Sequence, residues 1–216
     1  MTESAQILSS YEKIRQRVER FPGARLVAVS KFQSVEKIKI LVDAGQLDFG
    51  ENYLQEWQDK RDLLPHQLRW HFIGQLQSRK LKDLMANHPI YSIHSIGSLS
   101  ALAKLKNMGE LPSGGCFLQI NLAGEAQKGG LSLTELEVAE AEFGLKKLIR
   151  GLMTIPPITY QGETLRQHFK TMKKLNDQWG FAELSMGMSD DWEMALEEGA
   201  TYIRIGSAIF GARPSS

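Results

Sequence analysis

A lysine closes an apolar run, Leu26-Val-Ala-Val-Ser-Lys31, after which the chain turns polar and takes up a helical pattern. A primary amine at the carboxyl end of a first buried strand is well placed for nucleophilic chemistry. By the two-residue side-chain period of a strand, Val27, Val29 and Lys31 share one face. If that face looks into a closed sheet, desolvation disfavours the ammonium form. The neutral amine, which attacks aldehydes, then comes within reach near neutral pH. Far along the chain, Met186-Gly-Met-Ser-Asp-Asp191 and Gly206-Ser-Ala-Ile-Phe-Gly211 offer glycine, serine and backbone N–H groups where strands should hand over to helices. Unpaired N–H groups at such a junction favour a dianion, and the Ser189 and Ser207 hydroxyls add donors. Either segment alone reads more readily as a plain turn or cap. The two together, with a strand-end lysine, point to phosphate. Arg204 sits between Ile203 and Ile205 and shares a face with Gly206, so its guanidinium needs an acceptor inside. A core carboxylate such as Glu51 would serve, and so would a bound ligand. Asn52 and His71, on or ending the second and third strands, fit a polar pocket or satisfied core hydrogen bonds.

Those residues act together only if the fold gathers strand ends. Apolar runs at 26–31, 47–52, 69–74, 90–96, 116–123, 149–155, 182–188 and 202–210 begin about 25 residues apart, the length of one strand plus a crossover helix. Helical patterns lie between them. Ser34 caps a stripe of Val35, Ile38, Leu41 and Val42 that stops at Ala44-Gly45. Ser132-Leu-Thr-Glu135 has capping-box spacing. Leu165, Phe169, Met172 and Leu175 form another stripe, and 191–198 makes a short helix. An extra helix over about 4–20 precedes everything and breaks at Phe21-Pro-Gly23. Eight strand–helix units predict one domain over 1–216, an α/β fold of the (β/α)8 TIM-barrel type with an extra N-terminal helix. A doubly wound open sheet is the alternative. The strand number and the lack of an early glycine-rich turn count against it. In a barrel the functional face lies at the carboxyl ends of the strands, with phosphate held after strands seven and eight.

Composition excludes several classes. The 216 residues are 42% hydrophobic and 24% charged, and 26 Lys and Arg balance 25 acidic residues. That balance gives no footprint for nucleic acid or an anionic membrane. Cys116 is the single cysteine, which forbids an intrachain disulfide and suits a reducing compartment. No signal-peptide pattern opens the chain, and no apolar run approaches the roughly 18 residues of a membrane span. A cytoplasmic protein is expected. His66, His71, His88, His94 and His168 lack metal-ligand spacing, so no metal is expected. The scattered methionines suit packing.

The segments Ala28-Val-Ser-Lys31, Phe49-Gly-Glu-Asn-Tyr53, Trp70-His-Phe-Ile-Gly-Gln-Leu-Gln77, Arg150-Gly-Leu-Met153, Met186-Gly-Met-Ser-Asp190 and Arg204-Ile-Gly-Ser-Ala-Ile-Phe-Gly211 resemble the pyridoxal 5′-phosphate homeostasis protein family. These proteins are single-barrel relatives of the N-terminal domain of alanine racemase. The resemblance implies that Lys31 carries pyridoxal 5′-phosphate (PLP) as a Schiff base, and that Ser189, Gly206 and Ser207 hold its phosphate. It also implies that Arg204 approaches the pyridine nitrogen, while Asn52, His71 and Met186 line the ring pocket. Lys128, in Glu125-Ala-Gln-Lys-Gly-Gly130, falls at a family lysine implicated in cofactor handling, although a solvated loop lysine explains it as well. Gly129 replaces a serine frequent in the family. An arginine beside the pyridine nitrogen keeps it unprotonated and makes a weak electron sink. With the chain ending at Ser216, no second domain is expected to supply an opposing base. The expectation is therefore a monomeric PLP carrier without clear turnover, acting in vitamin B6 homeostasis. Apo PLP-dependent enzymes would receive its cofactor, and amino-acid and keto-acid pools would shift indirectly. The rival readings are an amino-acid racemase or decarboxylase of the same barrel class, using Tyr53 or His71 as acid–base group, and a Schiff-base aldolase.

Overall fold

The computed structural model describes residues 2–86, 90–125 and 127–211. Eight parallel strands close into a barrel in sequence order. They are β1 (Arg25–Val29), β2 (Asp48–Glu51), β3 (Arg69–Phe72), β4 (Ser92–Ile96), β5 (Cys116–Gln119), β6 (Gly151–Met153), β7 (Glu183–Ser185) and β8 (Tyr202–Ile205). β1 pairs with both β2 and β8, with Val27 opposite Arg204 and Ala28 opposite Ile205 across the closing seam. The helices α1 (Glu3–Val18), α2 (Val35–Asp43), α3 (Leu54–Arg61), α4 (Leu81–Met85), α5 (Leu99–Lys106), α6 (Leu133–Phe143), α7 (Gly162–Gln178), α8 (Trp192–Glu197) and α9 (Ser207–Phe210) accompany the strands. The barrel and its preceding helix agree with the sequence expectation.

The apolar stripes read from sequence bury as expected. In α7, Leu165, Phe169 and Met172 face the sheet, and α6 opens with the Ser132–Glu135 capping box and ends at Gly144 in the left-handed conformation. The stripe Ile7, Tyr11, Ile14 and Val18 packs α1 down onto the molecule. The Tyr11 hydroxyl donates to Gln46 (3.2 Å), whose amide donates to Leu26 O and Asp48 O. The helix is thereby tied to β1 and β2. Alternation sorts the strand residues. Leu26 and Ala28 join the shell between sheet and helices, while Val27, Phe117, Met153 and Tyr202 cluster separately, inside the barrel. Each fully buried large side chain contributes about 1.5–3 kcal/mol.

The strands are shorter than the apolar runs that announce them. β1 stops at Val29, two residues before Lys31, and β7 covers only Glu183–Ser185. The run expected as a single strand over 202–210 divides at Gly206, and Ser207–Phe210 forms the helical turn α9. The cause is simple: Ile209 and Phe210 are apolar because they are buried, and burial alone does not distinguish a strand from a helical turn. Among the described residues, no helix is long and apolar enough to cross a membrane.

Candidate functional site

At the carboxyl ends of β1, β2, β7 and β8 lies a cavity of about 300 Å³. Six residues singled out from sequence line it: Lys31, Asn52, Ser189, Arg204, Gly206 and Ser207. Val29, Ile73, Ile155 and Met188 supply apolar walls, and Gln33 and Asp190 stand at the lining as well. A wider depression of about 610 Å³ lies between α4 and α5, lined by Arg79, Lys82 and Lys104. It belongs to the outer helical layer and gathers none of the strand-end residues.

Lys31 is half-buried on the turn after β1, and that turn is firmly held. Ser30 N–H continues the ladder to Gly50 O, and Ser30 O accepts from the buried Lys60 ammonium at 2.7 Å. Phe32 adopts a left-handed backbone, φ 62°, with its N–H donated to the Glu56 carboxylate. Lys60 also binds Glu51 (2.8 Å) and Glu56 (2.6 Å). Burial pushes the Glu51 carboxyl above the usual carboxylate range, although Lys60 and the Ser30 hydroxyl pull the other way. Glu51 is thus engaged by Lys60 and is not the partner of Arg204.

The Arg204 guanidinium is 4% exposed and donates to Ser185 Oγ at 2.6 Å and Thr154 O at 3.0 Å. Burial draws its pKa down to about 10, against the attraction of the Asp191 carboxylate, so it remains a cation at neutral pH. Asn52 carries a buried Oδ1 without a hydrogen-bond partner. The backbone stays close there because residue 74 is glycine: a Cβ on Gly74 would stand 2.0 Å from Asn52 O. Ser189 Oγ accepts from Gly206 N–H and Ala208 N–H, which joins the β7 loop to the first turn of α9.

Two sequence expectations are corrected. His71 does not reach this cavity: it is fully buried in the barrel interior, bonded to Asp48, Ser92 and His94. Met186 is also fully buried, but in the shell between sheet and helices. Ser185 points inward, so its neighbour points outward. Lys128 lies outside the lining, its amine held by Pro156 O (2.8 Å) and Glu125 (2.7 Å). Tyr53 is exposed and pairs with Phe32, ring centroids 5.4 Å apart. His88 lies outside the described residues. Among the described residues no cluster of His, Cys, Asp and Glu could hold a metal ion. Sequence reasoning missed the Lys60–Glu56 support, whose one signal was an i,i+4 pair on α3, and the Ser185 and Thr154 acceptors of Arg204.

The cavity suits a small anionic ring compound. It joins a primary amine, a buried cation, hydroxyl and backbone donors, an unsatisfied amide oxygen and apolar walls. Comparison with known proteins agrees with that chemistry. The family model for the alanine racemase N-terminal domain matches residues 3–214. A pyridoxal phosphate homeostasis protein of Schizosaccharomyces pombe is 38% identical, over 97% of this chain and 94% of that protein. Its Escherichia coli K12 counterpart is 42% identical, over 88% and 86%. PipY of Synechococcus elongatus, solved with PLP bound, superposes with a TM-score of 0.82 at 32% identity, covering 95% of this chain and 100% of PipY. Alanine racemase of Bartonella henselae shares the fold alone, with a TM-score of 0.78 at 14% identity, over 98% of this chain and 61% of that one. The chain belongs to the pyridoxal phosphate homeostasis proteins, within the alanine racemase N-terminal domain family.

Proposed function

We propose that this chain binds PLP reversibly in the strand-end cavity and serves to store and deliver it, without turning over a substrate. The observation that carries the reading is the convergence of Lys31, Arg204 and the Ser189–Gly206–Ser207 donors on one cavity. The cofactor supplies an aldehyde that bonds reversibly to a primary amine. Lys31 offers that amine. The Ser189 and Ser207 hydroxyls offer donors to the phosphate, and the Gly206 N–H, which donates to Ser189 Oγ, stands at the same junction. Arg204 stands as a fixed cation toward the pyridine nitrogen, opposing its protonation. Asn52 Oδ1 offers an acceptor to the ring. A carrier role is favoured by the cavity's equipment: among the described residues its lining carries one amine, one guanidinium and the exposed Asp190, with neither His71 nor Tyr53 among them. In this reading the protein works as a cytoplasmic monomer, and apo PLP-dependent enzymes are the recipients.

The test is the visible spectrum of the PLP-loaded protein, followed by borohydride reduction and peptide mapping. A coloured protein with a pyridoxyl mass on Lys31 is expected, together with no racemisation or decarboxylation of amino acids approaching roughly 1 s⁻¹. An unmodified position 31 overturns the site. Turnover at ordinary rates overturns the carrier role.

A further inference from the structure

Behind Arg204 a continuous chain of hydrogen bonds runs across the barrel interior to the opposite end. Arg204 Nη1 donates to Ser185 Oγ at 2.6 Å, and Ser185 Oγ lies 2.8 Å from His94 Nδ1. His94 Nε2 lies 3.0 Å from His71 Nδ1, and His71 Nε2 lies 2.9 Å from Asp48 Oδ1. Arg69 grips the Asp48 carboxylate through Nε (2.8 Å) and Nη2, and Ser92 Oγ shares the His71 Nδ1 acceptor. Asp48, His71, His94, Ser185 and Arg204 are all buried.

The proton positions can be assigned from the two ends inward. A guanidinium only donates, so Ser185 accepts from Arg204 and turns its own proton to His94 Nδ1. A carboxylate only accepts, so His71 carries its proton on Nε2 and Nδ1 is left as acceptor. His94 must then carry its proton on Nε2, since two facing lone pairs would otherwise meet at 3.0 Å. Every bond points the same way, from the Arg204 cation to the Asp48 anion. Burial pushes both imidazoles below the usual histidine range, which agrees with neutral rings. The run uses two of the guanidinium's donors if Thr154 O is included, and leaves the others for whatever occupies the cavity.

We propose that Ser185 and His94, anchored through His71 on Asp48, are positioning residues that hold the Arg204 guanidinium in the orientation that meets the ring nitrogen of the bound cofactor. The proposal rests on the reading of the cavity as a PLP site. Neither residue touches the cavity, so their contribution is exerted through Arg204 alone.

The experiment has an unliganded and a liganded arm, on the full chain and its Ser185→Ala, Ser185→Thr and His94→Phe variants. Without ligand, imidazole ¹⁵N spectra at pH 7 should show His71 and His94 neutral with the proton on Nε2, and Ser185→Ala should shift the His94 signals. A cationic ring, or a proton on either Nδ1, overturns the relay. With pyridine-¹⁵N-labelled PLP, Ser185→Ala and His94→Phe should move the ring-nitrogen resonance and weaken binding about tenfold. Ser185→Thr, which keeps the hydroxyl, should restore both. A folded Ser185→Ala chain with unchanged resonance and affinity overturns the positioning role. If the parent chain binds no PLP, the cavity reading and the positioning role fall together, while the histidine tautomers still show whether the relay exists.

Discussion

Lys60 sits under the turn that presents Lys31, 8% exposed and in contact with Ser30 O, Glu51 and Glu56. Its ammonium offsets two carboxylates, and Glu56 in turn holds Phe32 in a backbone region costly for a side chain of that size. Removing the cation strands Glu51 and Glu56 together. Lys60→Met is therefore expected to destabilise the protein by about 3–5 kcal/mol, with Lys60→Arg recovering part of the loss. Urea denaturation measures it, and a change below about 1 kcal/mol would contradict the account. Beyond the i,i+4 spacing of Glu56 and Lys60, this support was not legible in the sequence, because it depends on α3 meeting the turn after β1. The cavity residues themselves were legible where a polar group interrupts an apolar run, as Arg204 does. The family resemblance placed Met186 and His71 at the ring pocket, whereas the strand alternation turns Met186 outward and His71 lies deep, in the satisfied core bonds that its residue type also allowed. Alternation says that a side chain points inward and says nothing about its height in the barrel.

At the scale of elements, capping chemistry and apolar stripes gave α2, α6 and α7, while the strand ends were overrun wherever buried residues continued past the last ladder bond. The division of 202–210 into β8 and α9 is one such case. The close approach of the β2 and β3 ends was also invisible, since a glycine in sequence does not name its neighbour. Gly74→Ala would set a methyl group 2.0 Å from Asn52 O, against backbone that cannot swing aside. The two ends must part. We expect a loss of roughly 1–3 kcal/mol together with weaker PLP binding, because Asn52 shifts with them. Denaturation paired with a cofactor titration reads both, and a variant unchanged in both respects would refute the argument.

The whole molecule carries an acid sensitivity set by its buried imidazoles. His168 lies against Thr154 Oγ1 at 3.0 Å, and burial, helped by the Lys128 charge, brings its pKa down to about 4. The unfolded chain takes up that proton near pH 6.5. From there down to about pH 4 the unfolded state binds a proton that the folded state refuses, so stability falls as pH falls, by up to roughly 3 kcal/mol. His71 and His94 act in the same direction, and Glu51, whose folded pKa is raised, acts in the opposite one. The urea midpoint should drop between pH 7 and pH 4.5, and His168→Gln should narrow the difference. A flat profile would rule out neutral burial. The barrel itself was readable from the regular spacing of its strands, whereas the hydrogen-bonded run that joins His71 and His94 inside it was not. The pairing of β1 with β8 has a last consequence. Lys31 follows the first strand to leave the ribosome and Arg204 belongs to the eighth, so a growing polypeptide possesses the amine long before the cation beside it. The cavity that gathers both groups therefore exists only once the eighth strand has closed the ring onto the first.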